Sequence, residues 1–184
     1  MTRVLAYTRT AITLHWLMAL LVFVTFPVGL VMHEMALSPG KLRLLSYHKW
    51  LGVTVFILVM VRLLWRASHQ PAPLLATMPH WQRVAANAVH VLLYGLLFAI
   101  PLSGWLMSSA KGFQTVYLGL LPLPDLIPKD KVLGDALFAL HEVLNITLLV
   151  LVIVHVAAAI KHQYVDRDGT LARMIPFLDR SSST

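Results

Sequence analysis

The sequence predicts an all-α integral membrane protein built as a four-transmembrane-helix bundle, and three observations carry that expectation. Of the 184 residues only 12% are charged, against roughly 25% in a soluble domain. Hydrophobic residues make up 58% and mean hydropathy is +0.74. Four apolar stretches approach or exceed the ~20 residues that span a hydrocarbon core. An ordinary soluble enzyme is excluded. The formal charge of +7 is accounted for by basic loops flanking lipid, so membrane lipid is the expected partner and nucleic acid is not.

The first apolar segment runs from about Ala11 to Met32. It follows a basic stretch, as a signal peptide would, but it exceeds the 7–15 residues of an h-region and no small-x-small site follows. It reads as a retained helix. The second, from about Tyr47 to Trp65, is the shortest, and its flanking Lys49, Arg62 and Arg66 can snorkel to the interface. The third spans about Val84 to Ala110 and the fourth about Ala136 to Ile160. Pro27 and Pro101 fall inside apolar runs, where kinks are expected. Trp16, Trp50, Trp65, Trp81 and Trp105 lie near segment ends, as an aromatic belt requires. The longest loop, Lys111 to Asp135, carries Pro122, Pro124 and Pro128 among apolar residues and is a candidate for the outer interface. Residues 1–176 read as one domain and 177–184 as a disordered tail.

Loop charges set the orientation. With both termini inside, the inner loops carry nine basic and three acidic side chains, and the outer loops six basic and five acidic ones. This bias favours cytoplasmic termini.

Cysteine is absent, which removes disulfides, thiolate metal sites, iron–sulfur clusters and covalent c-type haem. Any redox centre must use other ligands, and there are nine histidines. His33, His69 and His80 sit in loops or at segment ends, where a solvated imidazole is the ordinary reading. The other six lie in or beside the spans, where an ionisable group is costly and functional by default. Taken singly, each still has a rival reading as a hydrogen-bonded structural residue.

Spacing weakens that rival. Fourteen residues of helix return to within about 40° of the starting face and rise about 21 Å. His141 and His155 are separated by this interval, and it recurs in His15 with Gly29, His48 with Arg62, and His90 with Gly104. The positions form two levels, with His15, Arg62, His90 and His155 near the inner face and Gly29, His48, Gly104 and His141 near the outer. Two bis-histidine haems stacked across a bundle need this pattern, with Gly29 and Gly104 giving a flat ring room to approach. Zinc or copper sites favour short ligand spacings such as His-x3-His, so haem fits better. The outer level offers one pair, His48 with His141. At the inner level spacing leaves His155 a choice between His15 and His90. Arg62 either snorkels to headgroups or meets a haem propionate. His162, seven residues past His155, is either interfacial or a proton donor to a quinone.

The chain resembles the bacterial cytochrome b561 family of dihaem membrane proteins. The resemblance rests on Ile12-Thr13-Leu14-His15-Trp16, Tyr47-His48-Lys49, Val61-Arg62-Leu63-Leu64-Trp65-Arg66, His90-Val91-Leu92-Leu93-Tyr94, His155 through His162, and Asp168-Gly169-Thr170-Leu171-Ala172-Arg173-Met174. It covers nearly the whole chain. Carried over, the family pattern implies His15 with His155 on one haem iron and His48 with His141 on the other, leaving His90 and His162 as quinone candidates. A similar fourth-helix arrangement occurs in membrane b subunits of nickel–iron hydrogenases and formate dehydrogenases.

The resemblance implies two haem b groups in the bacterial inner membrane and ubiquinone as electron acceptor. One branch of the family oxidises superoxide and reduces ubiquinone, and the outer cations Lys41, Arg43, Lys49, Lys111, Lys129 and Lys131 either attract that anion or only flank helices. The alternative is a haem-carrying membrane anchor serving a separate dehydrogenase or c-type cytochrome, a periplasmic redox protein. Glu142, beside His141, is a further candidate for proton handling. A homodimer is left open.

Overall fold

The computed structural model describes residues 7–69 and 78–178. Four helices dominate them: α1 (Arg9–Glu34), α2 (Pro39–Ser68), α3 (His80–Ala110) and α4 (Lys131–Tyr164). All four are long and apolar enough to cross a membrane. Pro27 and Pro101 lie inside unbroken helices.

The helices start before their apolar spans, and in α1, α2 and α4 a side-chain cap that hydropathy does not locate sets the start. Ser38 caps α2 by accepting from the Lys41 N–H, and Pro39 occupies the first turn, where its missing N–H is harmless. The segment expected to be shortest is therefore 30 residues long. Asp130 caps α4 through the Leu133 N–H, so this helix starts inside the expected loop.

Sequential helices pack against one another, α1 on α2, α2 on α3 and α3 on α4, and the backbones of α1 and α4 approach far more sparsely. Met18, Val55 and Val59 form the core, with Leu21, Leu58 and Leu97 packed around them. Val55 and Leu97 each lie seven residues from both members of their helix's 14-residue pair, and so does the buried Leu148 on α4. Two turns on each side keep these residues on the same face, so an apolar floor separates the two levels.

The end carrying the α3–α4 connection, the hairpin end, is closed by a two-stranded antiparallel hairpin, β1 (Val116–Tyr117) with β2 (Leu121–Pro122). Its turn places Leu118 and Gly119 at φ 53° and 72°. Helix side chains fasten it down: the Trp50 indole donates to the Val116 carbonyl at 2.7 Å, Trp105 to Pro124 at 3.0 Å, and Lys49 Nζ to Phe113 at 2.6 Å. The opposite, terminal end carries 3₁₀ turns at Leu171–Arg173 and Pro176–Leu178, the second reaching past the expected start of the tail. There Trp16 donates to the Met174 carbonyl and Trp65 to Thr8 Oγ1. The residues from 179 onward, including Ser181 to Thr184, lie outside the described residues.

Candidate functional site

At the hairpin end, His48 on α2 faces His141 on α4 with ring centroids 6.3 Å apart and planes at 80°. Gly29 on α1 and Gly104 on α3 stand behind these rings. A Cβ at Gly29 would come within 3.1 Å of His48 Cε1, and one at Gly104 within 3.1 Å of His141 Cε1. The space the glycines open is filled by imidazole. This differs from the sequence reading, which gave them a flat ring to admit, because helical interval reveals a shared level but not which neighbour fills it.

His141 is also oriented. Its Nδ1 lies 3.1 Å from the Ile100 carbonyl and 3.0 Å from Ser103 Oγ, and Ser103 itself donates to Ile100 at 2.8 Å. A carbonyl can only accept, so Nδ1 carries the proton and Nε2 keeps a lone pair for a metal.

At the terminal end, α1, α3 and α4 bring His15, His90 and His155 together. His15 and His155 have centroids 6.3 Å apart, and His90 and His155 5.3 Å. Arg62 on α2 donates from Nε to the Tyr94 hydroxyl at 2.8 Å, and its guanidinium stands 5.6 Å from the Tyr94 ring centre. Tyr94 lies one helical turn from His90 on α3, which puts the Arg62 guanidinium at the terminal-end level.

A metal between two trans imidazoles, with each nitrogen about 2.0 Å away, holds the ring centroids about 6.3 Å apart. His48–His141 and His15–His155 both have this separation, while His90–His155 is about 1 Å too short. The residues present fit a metal held by one imidazole pair at each level.

The remaining histidines lie elsewhere. His33 stacks on Phe138, His69 stacks on Trp65 at 3.9 Å, and His80 opens α3. His162, at the end of α4, contacts Asp168 at 2.7 Å and Asp166 at 3.0 Å. A hydrogen bond from Lys161 holds the Asp166 carboxyl below the usual carboxylate range. Glu142 is exposed. Sequence reasoning gave no role to Tyr94, Ser103 or Asp166. Tyr94 was signalled by its position four residues from His90 on a helical face, and Ser103 by its place beside Gly104; Asp166 carried no periodic signal.

A membrane-spanning four-helix bundle with facing histidines at two levels defines the class of membrane-bound b-type cytochromes. The family profile described as prokaryotic cytochrome b561 matches residues 6–177. The chain belongs to this family, and it is an integral inner-membrane protein of b-type electron transfer. It is similar to cytochrome b561 homolog 2 of Escherichia coli (strain K12), 37% identical over 92% of this chain and 89% of the relative. Cytochrome b561 homolog 1 of the same organism is 29% identical, over 92% and 97%. A probable superoxide oxidase, CybB, of Yersinia pestis is 28% identical, over 92% and 96%.

Proposed function

We propose that this chain is a dihaem cytochrome carrying electrons from a periplasmic donor to the quinone pool, with both termini cytoplasmic. His48 with His141 would hold one haem b and His15 with His155 the other. The matching 6.3 Å separations at the two levels carry this reading. Haem, when bound, supplies reversible one-electron transfer.

The chain's own residues then have distinct tasks. Ile100 and Ser103 fix the tautomer of His141. Arg62, positioned by Tyr94, presents a cation to the terminal-end centre and its propionates. The layer containing Val55, Leu97 and Leu148 keeps water from the space between the levels. His162 is placed to hold a proton for quinone reduction on the cytoplasmic side, with Asp168 at its Nδ1. His90, whose ring is 5.3 Å from that of His155 against 6.3 Å for His15, is the second quinone candidate.

Superoxide is the first candidate donor, supported by the name of the Yersinia pestis relative. Each superoxide would give up one electron and leave as dioxygen; two electrons and two protons convert ubiquinone to ubiquinol. A docked redox protein is the second candidate. Lys41 and Lys49 donate to the Met35 and Phe113 carbonyls and keep their charge, and of these three contacts only Lys111–Asp135 offsets a cation, so the outer face stays basic enough for a small anion or an acidic partner surface.

Pyridine haemochrome analysis of the purified protein tests the haem assignment, with two haems per chain expected. A His48→Ala, His141→Ala variant that retained both would overturn it. For the donor, superoxide should reduce the haems and drive ubiquinone reduction. Failure where dithionite reduces both haems would leave the docked-donor reading.

A further inference from the structure

The turn after α4 gathers three metal-ligating side chains away from the two histidine levels. His162 Nδ1 is 2.7 Å from Asp168 Oδ2 and 3.0 Å from Asp166 Oδ2, and the three ligand atoms lie within 4.8 Å of one another. His162 and Asp168 are sheltered, with side chains 12% and 14% exposed, and Asp166 closes the cluster from the exposed side. An imidazole nitrogen carries at most one proton, so two carboxylates converge on a single donor. The C-terminal carbonyls of a 34-residue helix add negative character at the same place. One neutralising group is Lys161, whose Nζ lies 2.6 Å from Asp166 Oδ2 on a side chain that is half exposed.

We propose that His162, Asp166 and Asp168 form a site for a divalent cation of the zinc type. Zinc takes imidazole nitrogen and carboxylate oxygen at about 2.0–2.2 Å, which sets neighbouring ligand atoms about 3.3–3.5 Å apart. The two contacts at His162 need to widen by less than about 1 Å to reach that spacing. The cation takes the place of the Nδ1 proton, which leaves to solvent, and displaces Lys161 from Asp166. Asp168 is already oriented for ligation, because its other oxygen accepts the Thr170 N–H at 2.9 Å.

Zinc here would immobilise His162 and slow quinone reduction while leaving haem reduction by an external donor unchanged. That consequence rests on the quinone role proposed for His162; the binding site does not.

The test titrates zinc into the full-length, haem-loaded protein in detergent against a chromophoric chelator. One tight equivalent per chain is expected. Affinity should fall at least about tenfold in Asp166→Asn and further in Asp166→Asn, Asp168→Asn. Every histidine is kept, so His33, His69 and His80 contribute the same background in each protein. An unchanged haem spectrum reports the fold, and should the double variant lose haem, Asp166→Asn alone carries the comparison. Equal zinc affinity in wild type and variants overturns the site. Tight binding that leaves quinone reduction untouched supports the site and removes His162 from the quinone path.

Discussion

The two histidine levels share one spacing but are built differently. At the hairpin end a single pair, His48 and His141, is confined by glycines on the two remaining helices, and His141 has its proton pinned by Ile100 and Ser103. At the terminal end His15 and His90 stand 6.3 Å and 5.3 Å from His155, and the Arg62 cation is tethered to Tyr94, one turn from His90. The first arrangement confines one histidine pair by steric exclusion. The second is polar and redundant, as a site would be that must also pass electrons and protons to a mobile acceptor.

The largest expected effect tests this difference in ligand specification. His141→Ala should reduce haemochrome content from two to about one per chain, because no other histidine lies at that level. His90→Ala should retain two. If His90→Ala loses a haem and His15→Ala does not, the terminal-end pairing is reversed.

Next in size is the steric confinement. Gly104→Val forces methyl groups against His141, already 3.1 Å from the Cβ position, and overpacking of this kind costs about 1–3 kcal/mol. Gly95→Val is the control, since nothing lies within 4 Å of a Cβ there. Thermal loss of the haem absorption band should come earlier in the first variant and shift little in the second. Equal shifts would mean that the glycines serve helix packing in general.

A smaller effect is electrostatic and belongs to the terminal end. Reduction adds a negative charge, so replacing the cation in Arg62→Gln should lower the potential of that haem by some tens of millivolts, on a scale of about 59 mV per tenfold. Tyr94→Phe keeps the charge but removes its 2.8 Å tether and should do less. Potentiometric titration should resolve two centres, and the hairpin-end potential should stay where it was.

The contrast also shows what a sequence can disclose. Fourteen-residue intervals map onto one helical face without knowledge of the tertiary fold, so the two levels and the His48–His141 juxtaposition were legible. His15 and His90 share a level, and only the distances to His155 separate them. Helix ends were misplaced because the caps Ser38 and Asp130 lie beyond the apolar runs. The hairpin was invisible because it depends on two left-handed residues, Leu118 and Gly119, and on indole bonds from helices distant in sequence. The tryptophans lie where an aromatic belt would put them, and four of the five also tie the molecule's ends to its helices.

Ser103→Ala should have the smallest effect and asks whether the two levels are independent. Ser103 is 4% exposed, donates to Ile100 and accepts from His141 Nδ1. Its removal leaves that Nδ1–H with the Ile100 carbonyl, so no buried donor is orphaned and the loss stays near the low end of about 0.5–1.5 kcal/mol for one hydrogen bond. Both haems should remain. The hairpin-end potential should move by less than the terminal-end potential moves in Arg62→Gln, because a neutral bond to a ligand is altered and no charge is removed. A matching shift at the terminal end would show that strain at His141 travels along α4 past Leu148, and the apolar layer would then couple the two levels mechanically while keeping water from between them.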